Sequence, residues 1–310
     1  MKEVDGGARR IVSLLPAATD MMAALGVWER VVAVTHECDA VAASLMPPRV
    51  TRSSVDASAS PADVDQAVRE TSASGAPLFT LDAAQIRALE PDLIITQSVC
   101  DVCAVSEVDV REIASSMSTP PRILSLNATR FDDVLESVSD VAEVIGVSDE
   151  GDELLSGIRV RLRSVHETLK RERAPRPRVA VIEWTDPLYV AGHWVPDMVR
   201  RAGGVDIMAE GGTHSRQCTV DELRAANPDV VIVAACGYDL ARSANEGTRL
   251  LEVPTWKWLG ARRVWALDGN ALTSRPGPRL CIGVEALARI FHPSFFSAVD
   301  ASFARALTTP

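Results

Sequence analysis

Residues 148–173, SDEGDELLSGIRVRLRSVHETLKRER, decide the fold of this chain. Their apolar positions recur three or four residues apart, which is typical of one face of an α-helix, and they are Leu154, Ile158, Leu162, Val165 and Leu169. Ser148 is a suitable N-cap, acids crowd the first turns, bases crowd the last, and Pro175 and Pro177 end the pattern. Such a helix is about 35–40 Å long. It could connect two lobes or lie in the core of one large domain, so the flanking sequence has to decide.

The sequences on the two sides of this helix repeat each other. Residues 87–95, RALEPDLII, predict the end of a helix, a Pro-Asp turn and a buried strand, and residues 224–232, RAANPDVVI, predict the same three features. Each half also begins with an arginine and an apolar run, at residues 10–15 and 178–182. The repeat favours two α/β lobes of similar plan.

The expected fold is therefore α/β, with two lobes that each have a parallel-sheet core flanked by helices. Residues 1–147 form the N-terminal lobe, residues 174–310 form the C-terminal lobe, and the helix 148–173 joins them. Ligands of open parallel sheets bind outside the carboxyl ends of the strands. We therefore expect a ligand cleft between the two lobes.

The composition narrows the class of protein and its compartment. The chain has 310 residues, of which 47% are hydrophobic and 24% charged, and this is a normal globular mixture. A net charge of −10 argues against nucleic acid or an anionic membrane surface as partner. No segment has the roughly 18–20 apolar residues that span a bilayer, and the first residues lack a secretory signal. Six cysteines are too few for a disulfide scaffold. The sequence thus predicts a cytoplasmic protein, or a periplasmic one if a leader was removed.

Chemically distinctive side chains follow the predicted strands, at the points where the strands end. In the N-terminal lobe they are Pro16, Thr19, His36, Glu37, Cys38, Cys100 and Cys103. In the C-terminal lobe they are Trp184, His193, Trp194 and Arg275. The aromatic side chains could stack on a flat ligand or fill a core. Arg275 could hold a carboxylate, amide or phosphate group, or shape the turn around Pro276.

The cysteines of the N-terminal lobe allow several chemistries. Cys38, Cys100 and Cys103 could bind zinc or iron, reach the metal of a bound ligand, or be redox active. Cys100 and Cys103 could equally be two ordinary loop residues. The chain has no Gly-x-Ser-x-Gly elbow, no Walker loop, no dinucleotide fingerprint and no Asp-x-His-x-x-Gly signature. We therefore expect a binding protein and not an enzyme, with a metal- or thiol-dependent protein that uses His36 and these cysteines as the alternative.

Three of these features together resemble the helical-backbone class of periplasmic substrate-binding proteins. They are the single long helix, the paired Pro-Asp strands, and the opening RIVSLLPAATD at residues 10–20 with Ala24-Leu25-Gly26 after it. Within that class the chain looks most like the cobalamin-binding and iron-siderophore-binding components of ABC transporters. The resemblance implies a protein that closes on cobalamin, another tetrapyrrole or a related metal chelate.

The resemblance also bears on the partner. Family members commonly carry one acid in each lobe, about seven residues before the proline of the Pro-Asp strand, that pairs with arginines of the permease. Asp221 stands at this place in the C-terminal lobe, with Glu222 beside it, but Ala84 stands there in the N-terminal lobe. The sequence therefore predicts a cytoplasmic relative that keeps the ligand cleft without a permease, and an exported transporter component is the alternative.

Overall fold

The computed structural model describes residues 7–39, 47–98 and 105–308. Its strands are β1 Ile11–Ser13, β2 Val31–Val34, β3 Thr51–Ser53, β4 Phe79–Leu81, β5 Leu93–Thr96, β6 Arg122–Ser125, β7 Arg178–Thr185, β8 Leu188–Val190, β9 Val205–Asp206, β10 Arg216–Gln217, β11 Val230–Val233, β12 Arg263–Leu267 and β13 Ala304–Ala306. Its α-helices are α1 Pro16–Ala24, α2 Pro61–Ala73, α3 Ala83–Ala88, α4 Glu107–Ser115, α5 Phe131–Ile145, α6 Ser148–Arg171, α7 Val195–Arg201, α8 Val220–Ala226, α9 Leu240–Glu252, α10 Gly269–Leu272 and α11 Leu280–Phe291. Two 3₁₀ helices lie at Trp28–Arg30 and Pro254–Ala261.

The long helix expected from the sequence is α6, and it ends two residues earlier than predicted. Arg173 has a positive φ of 47°, and the Ala174 N–H donates to the Leu169 carbonyl at 3.0 Å, so the last turn is closed by a left-handed residue. Ile158 and Val165 of the apolar face are buried as predicted.

The chain divides into two compact units. Unit 1 consists of Met1–Ala128 with Asp133–Ser156, and unit 2 of Thr129–Asp132 with Gly157–Pro310. One boundary between the two units thus lies inside α6, and two more lie on either side of Thr129–Asp132. The lobe boundaries at residues 147 and 174 stay a prediction. No helix within the described ranges combines the length and the apolar character that crossing a bilayer requires.

Unit 1 contains a four-stranded parallel sheet in the order β2-β1-β5-β6. Successive strand residues point to opposite faces, so Ile11 packs in one apolar cluster with α1 and α5 while Val12 packs in another with α3 and α4. Both faces are therefore covered, as a parallel sheet requires. The strands β3 and β4 form a separate antiparallel pair.

Unit 2 repeats this plan and extends it. The strands β9, β7, β11 and β12 are parallel and occupy the same order as β2, β1, β5 and β6. Antiparallel strands β8 and β10 lie beyond β7, and antiparallel β13 lies beyond β12. The predicted α/β class with parallel-sheet cores is therefore confirmed.

The Pro-Asp turn of unit 1 is held by reciprocal hydrogen bonds with the start of β1. The Asp92 carboxylate accepts the backbone N–H groups of Arg9 at 2.9 Å and Arg10 at 3.0 Å. In return the Arg10 guanidinium donates through Nε to the Leu89 carbonyl at 2.9 Å, at the end of α3. A helix end and a strand start are thereby fixed to each other.

Unit 2 has the same arrangement at its own Pro-Asp turn. The Asp229 carboxylate accepts the Arg178 N–H at 2.8 Å, and Arg178 Nη2 donates to the Ala226 carbonyl at 2.7 Å, at the end of α8. The residues before the two prolines, Glu90 and Asn227, both have positive φ. The repeat in the sequence is thus a repeat of hydrogen bonds.

Two local features were not predicted from the sequence. The stretch from Pro16 to Thr19 is the first turn of α1, because proline is well suited to the first helical position. The stretch after Ile182 is a hairpin in which β7 continues to Thr185 and turns back as β8. Trp184 and Tyr189 lie opposite each other in this hairpin, and such cross-strand aromatic pairs stabilise antiparallel strands.

Candidate ligand-binding site

Thr19 and Cys38 meet below the carboxyl end of the unit 1 sheet. Thr19 Oγ1 lies 2.9 Å from Ser13 Oγ and 2.9 Å from Cys38 Sγ. Thr19 and Cys38 are each 1% exposed, and Cys38 belongs to the apolar cluster that contains α1. The thiol is therefore enclosed by the core, and its predicted role as a metal ligand stays a prediction. Pro16 is half-buried at the start of α1.

His36 is held by hydroxyl groups of the neighbouring strands. Its Nδ1 lies 2.6 Å from Thr51 Oγ1, and Thr51 Oγ1 donates to Thr35 Oγ1 at 2.9 Å. Burial, and next the positive charge of Arg49, lower the pKa of His36, so the imidazole is neutral at neutral pH. Glu37 beside it is exposed.

Cys100 and Cys103 lie outside the described residues. Within the described ranges, no cluster of three or more His, Cys, Asp or Glu side chains could hold a metal ion. The proposed zinc or iron site on these cysteines stays a prediction.

A cavity of about 300 Å³ lies at the carboxyl end of β5. It is lined by Gln97, Ser98, Val105, Ser106, Glu107, Val108 and Arg111. None of these residues was selected from the sequence, because glutamine, serine and glutamate are common on any surface. The signal that could have found them is position, since Gln97 and Ser98 directly follow a buried parallel strand and Glu107 begins a helix.

A hydrogen-bond network fixes the polar side of this cavity. The Glu107 carboxylate accepts from Ser125 Oγ at 2.8 Å and from Arg111 Nε at 2.8 Å. These hydrogen bonds, from Ser125 first and Arg111 second, lower the pKa of Glu107, so it is charged at neutral pH. Asn127 Oδ1 accepts both the N–H and the Oγ–H of Ser98, each at 2.9 Å.

Aromatic side chains mark the carboxyl end of the unit 2 sheet. The ring of the half-buried Trp184 lies 5.1 Å from the ring of Tyr238, which is 4% exposed. The Arg242 guanidinium carbon lies 3.6 Å from the centre of the Tyr238 ring, which is the distance of a cation–π contact. Tyr238 follows β11 and was not singled out from the sequence.

His193 and Trp194 lie in a loop that is bound tightly to its neighbours. The His193 N–H donates to the Thr213 carbonyl at 2.6 Å, and Trp194 Nε1 donates to the Thr273 carbonyl at 2.7 Å. A Cβ on Gly192 would lie 2.5 Å from the Ser215 nitrogen, so this close approach requires glycine. Burial, and next the neighbouring His214, lower the pKa of His193.

Two charged residues of unit 2 are more buried than the sequence suggested. Glu183, which was not selected, accepts from Ser215 Oγ at 2.8 Å, and burial raises the pKa of its carboxyl. Arg275, expected at a ligand rim, is 4% exposed and donates through Nη2 to Asn270 Oδ1 at 3.0 Å. Its expected contact with ligand stays a prediction.

Each unit thus gathers its distinctive side chains at the carboxyl ends of its own parallel strands. Unit 1 offers hydroxyl, amide and paired charged groups, and unit 2 offers aromatic rings with buried polar neighbours. Stacking and hydrogen bonding are the interactions that such side chains provide to a small molecule.

Comparison with known proteins identifies a matching family and several similar proteins. The model of the periplasmic binding protein family matches residues 11–263. The ABC transporter substrate-binding lipoprotein YvrC of Bacillus subtilis is 23% identical, over 93% of this chain and 81% of its own length. The vitamin B12-binding protein of Vibrio cholerae is 22% identical, over 90% of this chain and 87% of its own. A periplasmic heme-binding protein from Pseudomonas aeruginosa has the same fold, with a TM-score of 0.69 at 20% identity, over 98% of this chain and 100% of its own.

These findings overturn one prediction, that of a cytoplasmic protein. The matching family is periplasmic, and the B. subtilis relative is a lipoprotein, so the comparisons point to an extracytoplasmic location. Composition could not show this, because a water-soluble domain has the same apolar core and charged surface on either side of a membrane.

Proposed function

Because this chain belongs to the periplasmic binding protein family, we propose that it is a transporter substrate-binding protein whose ligand is a cobalamin or a related metal-chelating tetrapyrrole. Members of this family are binding proteins that take small-molecule ligands and act with ABC transporter permeases. The ligand is our proposal, and it is supported by the B12-binding and heme-binding relatives.

The observation that carries the proposal is the aromatic pair of Trp184 and Tyr238 at the carboxyl end of the unit 2 sheet. The half-buried Trp184 can cover part of a flat macrocycle, while the Tyr238 ring, which itself contacts the Arg242 guanidinium, packs against the indole. The neutral imidazoles of His36 and His193 suit a ligand that brings its own metal, since neutral imidazole is the form that binds metals.

The other residues selected from the sequence take different proposed roles. We propose that Glu37 and Trp194 contact the ligand, and that the buried Thr19, Cys38 and Arg275 position the residues that do. Pro16 begins α1 and sets its direction.

Absorbance titrations test this function directly. Hydroxocobalamin and haemin each have strong bands that shift on ligation, so binding of either is measured without a label. Trp184→Ala should weaken binding by about 1–3 kcal/mol, which is the usual effect of losing a large buried side chain and corresponds to roughly 5- to 150-fold in Kd.

Trp258→Ala is the matched control. Trp258 is also half-buried in unit 2, but it lies in the 3₁₀ helix before β12, at the amino end of the sheet. Trp258→Ala should therefore leave the affinity for hydroxocobalamin and haemin unchanged. The proposal fails if wild-type protein binds no tetrapyrrole, and a bound zinc ion lost on Cys100→Ser/Cys103→Ser would favour the metal-dependent alternative.

We also propose a docking role for two exposed acids at the starts of the corresponding helices α3 and α8. Asp221 lies in the first turn of α8, as the resemblance implies. Ala84 of α3 has no charge, but Asp82 precedes it as the N-cap and accepts the Gln85 N–H at 2.9 Å. Each unit therefore presents a carboxylate at the start of the helix that leads to its Pro-Asp turn.

A further inference from the structure

We propose that the cavity at the carboxyl end of β5 binds one uncharged polar arm of the ligand, and that it selects ligands with amide arms over ligands with carboxylate arms. This inference rests on the proposed function and refines its ligand class. It concerns the cavity lined by Gln97, Ser98, Ser106, Glu107 and Arg111 together with two valines.

The size of the cavity suits part of a macrocycle. Pockets that take up a whole drug-sized ligand measure about 300–1,000 Å³, so a cavity of about 300 Å³ holds a side arm better than a complete tetrapyrrole. Val105 forms a buried apolar wall, and Val108 is 64% exposed. Such an exposed valine next to a polar cavity is suited to the apolar edge of a ring from which a polar arm projects.

The charges of the cavity cancel each other. Both Arg111 Nε and Arg111 Nη2 donate to Glu107 Oε1, and Ser125 Oγ donates to Glu107 Oε2. A ligand carboxylate that approached Arg111 would lie close to the Glu107 carboxylate, and two like charges at short range repel. A neutral arm meets no such repulsion.

The remaining polar groups match an amide. Within the described residues, the side chains of Gln97 and Ser106 make no hydrogen bond to the protein. Gln97 provides an acceptor and two donors, so it can pair with both the carbonyl and the N–H₂ group of a primary amide. A carboxylate has only acceptors and would leave the Gln97 carbonyl unpaired. Discrimination by unpaired polar groups is stronger than discrimination by size.

Three ligands distinguish the contribution of the polar side arm to affinity from the contribution of the macrocycle. They are hydroxocobalamin, a hydroxocobalamin monocarboxylic acid in which one side-chain amide is hydrolysed, and haemin. We expect wild-type protein to bind the intact amide form at least 10-fold more tightly than the acid. Glu107→Gln removes the repelling charge and leaves Arg111 available, so it should reduce this preference several-fold and strengthen haemin binding.

Two further variants distinguish the loss of a specific ligand contact from a general folding defect. Glu112→Gln removes an exposed acid from the same helix, outside the cavity, and should leave all three affinities unchanged. Gln97→Leu should weaken hydroxocobalamin binding at least 5-fold and haemin binding less. Equal binding of amide and acid by wild-type protein, or equal effects of Glu107→Gln and Glu112→Gln, would overturn the inference while the proposed function stands. Failure of all three probes to bind would overturn the proposed function itself.

Discussion

At the scale of single residues, the surroundings of a carboxyl group decide its charge. Glu107 is kept charged by Ser125 and Arg111, which lower its pKa. Asp206, at the end of β9, has its pKa raised to about 6 by burial, although the Met208 and Ala209 N–H groups donate to it. The surroundings therefore stabilise the carboxylate anion at Glu107 and destabilise it at Asp206.

Asp206 predicts a pH dependence of stability. Its pKa is about 6 in the native protein and about 3.9 in an unfolded chain, so the native state binds the proton more tightly. The stabilisation is complete below about pH 4 and is lost as the pH rises through 6. Asp206→Asn keeps an oxygen acceptor without the charge, and we expect a higher Tm than wild type at pH 7 and an equal Tm near pH 4.

Thermal unfolding between pH 4 and pH 8 measures this difference. Glu210→Gln, a neighbouring exposed acid, is the control and should show no pH-dependent difference. A Tm difference for Asp206→Asn that is the same at every pH would contradict the assignment.

At the scale of elements, the Pro-Asp turn of each unit connects a strand start to a helix end through side-chain hydrogen bonds. In each, an aspartate carboxylate accepts a backbone N–H group at the start of the unit's first parallel strand. The side chain of the arginine at that place donates to a carbonyl group at the end of the helix before the Pro-Asp turn. Hydrogen bonds to charged groups are stronger than neutral ones, and their loss leaves backbone groups without partners.

Asp92→Ala and Asp229→Ala should therefore each destabilise the protein, by about 1–3 kcal/mol in the unit that carries the change. Denaturant unfolding followed by circular dichroism measures the effect. Asp152→Ala, on the exposed side of α6, is the control and should change the unfolding free energy by less than about 0.5 kcal/mol. Effects of Asp92→Ala and Asp229→Ala no larger than that of the control would show that the turns do not depend on these carboxylates.

At the scale of the whole molecule, the docking role that we propose is electrostatic, in a chain with a net charge of −10. Attraction between exposed carboxylates and basic groups of a partner weakens with salt. If Asp82 and Asp221 dock, Asp82→Ser and Asp221→Asn should each weaken binding to the permease several-fold at low ionic strength. Serine keeps the N-cap of α3, so the variant removes charge without removing the cap.

Binding to the permease in lipid nanodiscs at two salt concentrations measures this effect. Asp140→Asn, an exposed acid on α5, is the control. Unchanged affinity and salt dependence in both docking variants would remove these acids from the interface.

The sequence by itself determined the α/β class, α6 and the repeated Pro-Asp strands. These features depend on periodicity and turn chemistry within about ten residues, which a linear pattern contains. The start of α1 and the hairpin after Ile182 were missed, because Pro16 and Pro187 are compatible with both a loop and an ordered turn.

Only the tertiary structure decided which side chains meet and which are buried. Glu107 and Ser125 are distant in the sequence and share a hydrogen bond because α4 and β6 are placed side by side. Cys38 and Arg275 were expected where ligands of parallel sheets bind, beyond the ends of predicted strands, yet both are enclosed. The physical reason is that burial and hydrogen-bond pairing depend on neighbours from several strands and helices, and no single stretch of the chain contains them.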